Sequence, residues 1–134
     1  MATRSVIAKL DSKWVQAIYC HNDGYLSNNG KILDQHYTHE VHVNQLLAEG
    51  DISSLRDTIA DTTFYARDRG ESNKEATTLK DESALLEFAF ESCDAEVVYM
   101  FAYGSWYVYD NSDKIGNTSY QFIELEEALY NVLA

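Results

Sequence analysis

Val97-Val98-Tyr99-Met100-Phe101-Ala102-Tyr103 and Trp106-Tyr107-Val108-Tyr109 are two aromatic, β-branched runs separated only by Gly104-Ser105. Such composition favours strands, and a two-residue connection holding a glycine joins neighbouring strands through a tight antiparallel turn. A hairpin over 97–109 is the firmest feature of the chain. Upstream, Asp81 or Ser83 opens a helix carrying Leu85, Leu86, Phe88, Ala89 and Phe90 and ending near Asp94. Downstream, a strand or loop at Tyr120 to Phe122 leads into a C-terminal helix with Leu125, Ala128, Leu129 and Val132 on one side.

The N-terminal half repeats the theme. Ser5 to Leu10, a turn at Asp11-Ser12, and Trp14 to Cys20 read as a second hairpin. A turn-rich passage, His21 to Gly30, ends in a helix over roughly Ser27 to Tyr37. Thr38 is the expected cap of a further helix through Val41, Val43, Leu46 and Leu47, which Gly50 stops. Ile52, Leu55 and Ile59 suggest one more helical turn, Thr62 to Arg67 a strand, and Asp68 to Lys80 a polar turn region. The expected architecture is a single α+β domain over residues 1–134, its sheet mainly antiparallel, built from hairpins and covered by helices on one face.

Charge is unevenly divided along this frame. Asp81 to Ala134 holds eleven carboxylates against Lys114 alone, while residues 1–80 hold eleven against nine Lys and Arg, which splits the net −12 into −10 and −2. Such a chain repels nucleic acid and anionic lipid and attracts basic protein surfaces, so neither direct nucleic-acid binding nor a membrane location is expected. The apolar content of 46% and the ten tyrosines are ample for a core, which sets disorder aside. Two cysteines, no secretory leader pattern and no long apolar run point to a reducing cytosol.

No motif fixes a reaction, and no cofactor is called for. Cys20-His21-Asn22-Asp23 is the densest group of reactive side chains, and with Gly24 and Tyr25 it forms a candidate functional loop; a small hydrolase or ligand-binding enzyme using Cys20, His21 and Asp23, with His36, is the alternative to a binding protein. Adjacent Cys and His point to opposite sides of a strand, so such a dyad needs a bend there. His36, His39 and His42 lack the i, i+4 spacing and neighbouring glutamate of a helical zinc site, and no metal is expected. Gly30-Lys31-Ile32 lacks the Ser/Thr of a phosphate loop, and Arg67-Asp68-Arg69 reads as a solvated strand end or an internal salt link.

Two surfaces remain as partner-binding candidates. One is the tyrosine face of the hairpin, Tyr99, Tyr107 and Tyr109; the other is the set of helix carboxylates Glu87, Glu91, Glu124 and Glu127. Carboxylates spaced like successive phosphates would imitate DNA. A homo-oligomer joined through the aromatic hairpin is a third class of function.

Ala2-Thr3-Arg4-Ser5, Ile18-Tyr19-Cys20-His21-Asn22-Asp23-Gly24-Tyr25, Gly30-Lys31-Ile32-Leu33, His36-Tyr37, Gly50-Asp51-Ile52-Ser53-Ser54-Leu55, Tyr65 to Glu71 and Trp106 to Tyr109 together resemble an uncharacterised family of small acidic proteins of tailed bacteriophages and mobile elements. The family pattern reads I-Y-C-H-W-D-G-Y-P, with Asn22 here at the tryptophan and Leu26 at the proline. The resemblance implies a phage origin and the cytoplasm of an infected bacterium. It also implies a non-enzymatic protein that binds a host protein with a basic surface and inhibits or redirects it, in host takeover or anti-defence.

Overall fold

The computed structural model describes residues 3–70, 75–111 and 122–133. Strands β1 (Ser5–Asp11) and β2 (Trp14–Cys20) form the N-terminal hairpin, with Ser5 opposite Cys20 and Asp11 opposite Trp14. A π-helical turn at Leu26–Gly30 runs straight into α1 (Lys31–His36), so the expected first helix is present with a wider opening turn. Helix α2 (Glu40–Ala48) starts with His39 at the cap position and no side-chain cap, so Thr38 lies outside it. Gly50 does stop it: its φ is +83°, and its N–H bonds Leu47 O at 3.1 Å.

The segment after α2 departs from the expected pattern. Ile52, Leu55 and Ile59 form no helical turn; β3 (Ile52–Ser54) instead runs parallel to the end of β2 at Cys20 and antiparallel to β4 (Thr63–Phe64). Only two residues of the expected 62–67 strand are extended, because α3 (Tyr65–Arg69) begins at once and ends at Gly70, φ +66°. Asp68 binds the Phe64 N–H at 2.8 Å, and Arg67 pairs with Asp68 at 3.0 Å while its guanidinium lies 4.7 Å above the Phe64 ring. Within the stretch read as turn, β5 (Thr77–Leu79) pairs antiparallel with Val15 to Ala17 of β2.

Helix α4 (Glu82–Glu87) opens where expected, Asp81 accepting a hydrogen bond from the Ala84 N–H at 2.9 Å, and continues as a π turn at Phe88–Ser92. Strands β6 (Val97–Ala102) and β7 (Ser105–Asp110) form the second hairpin. Ala102 faces Ser105, so the turn residues are Tyr103 and Gly104, with φ of +53° and +78°. Two left-handed residues match the turn to the twist of the strands. Strand β8 (Ile123–Glu124) pairs with β7, and α5 (Leu125–Leu133) closes the described chain; Tyr120 lies outside the described residues.

The eight strands run β4-β3-β2-β1-β6-β7-β8, with β5 also on β2. The chain is α+β, but two expectations about its sheet need correction. The sheet is mixed, since β1 lies parallel to β6 as well as β3 to β2. Helices cover both faces, not one. All six residues of β6 are buried, and an uninterrupted apolar strand with no solvated alternate positions must be covered on both sides. Ile7, Ile18, Val97, Tyr99 and Phe101 pack with α1, α2 and α5, whereas Val6, Ala8, Ala17, Val98 and Met100 pack with Leu85 and Ala89 of the α4 segment. Among the described residues no helix is long and apolar enough to cross a membrane.

Candidate functional site

The Cys20 to Tyr25 loop is held together by its own reactive-looking groups. Cys20 is fully buried; its thiol donates to Asn22 O at 3.6 Å and accepts from Asn29 Nδ2 at 3.3 Å. The same Asn29 amide, also buried, donates to Ser5 Oγ at 3.2 Å and accepts from Asn28 at 2.9 Å. His21 looks the other way. The Tyr19 hydroxyl accepts from Arg4 Nε at 3.1 Å and shares a hydrogen bond with His21 Nδ1 at 2.7 Å, its direction set by the imidazole tautomer. Thiol and imidazole therefore do not meet, as adjacent residues at a strand end are expected not to.

The rest of the loop is backbone carpentry. Asp23 sits at φ +57°, its carbonyl accepting from Asn29 N at 3.3 Å and Asn28 Nδ2 at 3.1 Å. Gly24 donates to Thr3 O at 2.8 Å, and its carbonyl accepts from the buried Tyr99 hydroxyl at 2.6 Å. Asn22 donates to Ser54 Oγ at 3.2 Å and ties the loop to β3. Tyr25 is exposed.

Burial pushes the Cys20 thiol up to about 11, and burial followed by the charge of Asp51 pushes Cys93 to about 11 as well. A thiol so rarely ionised and so enclosed reacts only when the structure opens. In native protein at pH 8, a maleimide is expected to modify half-buried Cys93 first and Cys20 only at the rate of unfolding; mass spectrometry of the labelled peptides checks the order. Rapid native labelling of Cys20 would contradict this account.

The tyrosines and glutamates are placed very differently. Tyr99 is fully buried, and Tyr109 packs against Phe90 and Phe122 at ring separations of 5.5 and 5.8 Å. Tyr107 is half-buried on the α4 face. Tyr99 and Tyr109 are thus buried in the core, and of the expected tyrosine face only half-buried Tyr107 keeps access to solvent. The hairpin tyrosine that does reach solvent is Tyr103 at the turn, 88% exposed. Glu87 and Glu91 are exposed on the α4 segment, whose Leu85 and Ala89 pack one side of the sheet, and Glu127 on α5, whose Leu125 and Ala128 pack the other. Glu124 is exposed on β8, opposite Tyr107. These four carboxylates do not make one surface.

A different set of carboxylates is brought together by topology. Parallel strands β1 and β6 lie side by side, but β1 turns away into β2 and β6 turns the opposite way into β7. Turns leaving in opposite directions open a crevice beyond the carboxyl ends of the strands. Three adjoining cavities occupy it. The first, about 310 Å³, is lined by Asp34, Thr38, Phe101, Gly104, Ser105, Trp106, Glu124 and Glu126. The second, about 420 Å³, shares Thr38, Phe101 and Gly104 and adds Lys9, His39, Glu40 and Tyr103. The third, about 590 Å³, shares Lys9 and Glu40 and continues past Asp11, Gln16, Asn44 and Glu75.

Among the described residues this groove is lined by six carboxylates, Asp11, Asp34, Glu40, Glu75, Glu124 and Glu126, and by one Lys or Arg side chain, Lys9. Lys9 is almost wholly buried and already committed, its Nζ 3.0 Å from Glu40 Oε1. Trp106 forms the wall of the first cavity; its indole N–H bonds Tyr37 O at 2.8 Å, and its ring meets Phe101 edge-on at 5.3 Å. Of the histidines, His39 lines the second cavity and meets His42 edge to face, and His36 is 3.6 Å from Asp57. Among the described residues no three His, Cys, Asp or Glu side chains are placed to hold a metal ion.

Asp34 is the informative member of the groove. It is half-buried with no hydrogen bond or ion pair among the described residues, and burial first, then the charge of Glu126, raises its pKa above the ordinary carboxyl value. The sign follows directly. Between the ordinary value and the raised one the folded state holds more protons than the unfolded, so ionising Asp34 in the native state costs stability at neutral pH, and the cost disappears as pH falls through both values. Asp34→Asn is therefore expected to melt at higher temperature than the parent at pH 7, the gap closing towards pH 3; calorimetric melts across that range check it. A gap that widens on acidification would contradict it.

Of these groove residues the sequence singles out Glu124 as a partner-binding candidate, but not Glu126, Asp34 or Lys9. Nothing local distinguishes them, because they meet only through the β1–β6 pairing. No protein-family model, curated protein or solved structure matches the chain.

Proposed function

We propose that this chain is a phage-encoded, non-enzymatic acidic protein that binds a host protein bearing a basic surface and inhibits or redirects it, acting in the cytoplasm of the infected bacterium. The observation that carries the reading is the groove, where every carboxylate but Glu40 is without an ion-pair partner among the described residues. Uncompensated like charge around a concavity costs stability and favours an oppositely charged visitor. The net −12 adds long-range steering, which physiological salt screens beyond about 8 Å. The separation of Glu87 and Glu91 from Glu127 by the sheet weighs against imitation of DNA by those helices and favours contact at the groove.

Tagged protein used as bait in bacterial lysate at low and high ionic strength tests this. A basic partner retained at low salt, and released as salt rises, is the expected result. Recovery of no specific partner, or of one indifferent to salt, overturns the proposal.

A further inference from the structure

We infer that the groove across the ends of β1 and β6 receives an extended, arginine- or lysine-rich segment of the partner, with one cationic side chain seated among Asp34, Glu124 and Glu126 against Trp106. This rests on the reading above and specifies what the partner presents.

The shape of the site argues for an extended occupant. Its three cavities follow one another from β8 and β7 past β6 and β1 to β2. Four inter-strand steps of about 4.8 Å make a path of about 19 Å, and extended chain at about 3.3 Å per residue covers it with about six residues. A compact small molecule would fill one cavity and leave the others.

Charge selects the sign of the occupant. Lys9 in the middle is held by Glu40, so among the described residues the groove offers an anionic ligand no lysine or arginine that is not already paired. The Asp34 end carries three carboxylates with no ion-pair partner among the described residues, two of which, Asp34 and Glu126, repel each other. A guanidinium or ammonium placed there removes that repulsion and gains charge-assisted hydrogen bonds. Beside the carboxylates stand Phe101 and Trp106, with the exposed Tyr103 ring at the rim. Aromatic surface next to carboxylates suits the long apolar stems of Arg and Lys and the flat face of a guanidinium.

The probe is a capped seven-residue peptide of alternating arginine and glycine, titrated calorimetrically at low salt into the full chain, into Asp34→Asn/Glu126→Gln, and into Glu87→Gln/Glu91→Gln, which removes equal charge outside the groove. The expected result is a loss of about tenfold or more in affinity for the first pair and less than about twofold for the second, together with a shift of the Trp106 indole N–H resonance on peptide addition. Equal losses in the two pairs would overturn the groove as the site while leaving an acidic host-protein binder standing. Arginine amide, a single compact cation, bound as tightly as the peptide would overturn the extended occupant. No binding of the peptide to the parent chain would overturn the inference outright, with the lysate experiment judging the broader function separately.

Discussion

Gly24→Ala is expected to cost about 2–5 kcal/mol of folding stability, although alanine adds one methyl group. A Cβ at residue 24 would stand 2.6 Å from Ser5 Cβ, 2.8 Å from Ser5 Oγ and 2.8 Å from Thr3 O. None of these is the free end of a flexible side chain. Ser5 is fixed on β1 between Cys20 and Val97, and Thr3 O is the acceptor for the Gly24 N–H. Relief of the clash must move the loop, which also pulls Gly24 O away from the buried Tyr99 hydroxyl. Gly104→Ala is the informative control. At φ +78° with nothing within 4 Å, it should cost only about 1 kcal/mol of left-handed strain. Urea denaturation of both variants checks the contrast; similar losses would show that loop packing at Gly24 is looser than described.

Trp106→Ala is expected to cost about 3–5 kcal/mol, and Trp106→Phe about 1–3. The indole is nearly buried, and its N–H is the hydrogen-bond partner of Tyr37 O among the described residues. Phenylalanine keeps most of the packing with Phe101 but leaves that carbonyl unpaired. The consequence reaches the groove, because Tyr37 begins the short link to α2 from which Thr38 and His39 form the rim. The Phe variant should therefore lose affinity for a basic peptide beyond what lost stability predicts. Urea midpoints and calorimetric affinity measured on the same sample separate the two effects; an unchanged affinity would confine Trp106 to the core.

Much of the fold was legible because the two hairpins announce themselves locally. β1–β2 and β6–β7 are long, rich in β-branched and aromatic residues, and joined by two-residue turns. β3, β4 and β5 were not legible, since strands of two or three residues carry no period and exist only where an already formed edge accepts them. The helices other than α3 were found, but not the faces they cover. That choice depends on which strands meet, and the pairing of Ser5 with Val97 leaves no trace in either neighbourhood. The same blindness explains the site. Carboxylates that cluster in sequence, Glu87 with Glu91 and Glu126 with Glu127, are dealt to different layers, whereas Asp34 and Glu126 become neighbours from distant segments. In the Cys20 to Tyr25 loop, residue types that suggested chemistry turn out to bond one another and the strand ends.

The parallel partnership of β1 with β6 also dictates when this protein can fold. During synthesis the N-terminal hairpin leaves the ribosome with one long edge of β1 open, and its neighbour is not decoded until Val97 to Phe101. Some ninety residues of chain must be made before that edge is covered. Contacts of such large sequence separation slow the search for the native state and prolong the life of sticky, half-made sheets. Early translation products of this gene should accordingly lean on chaperones, and release from them should coincide with emergence of the second hairpin.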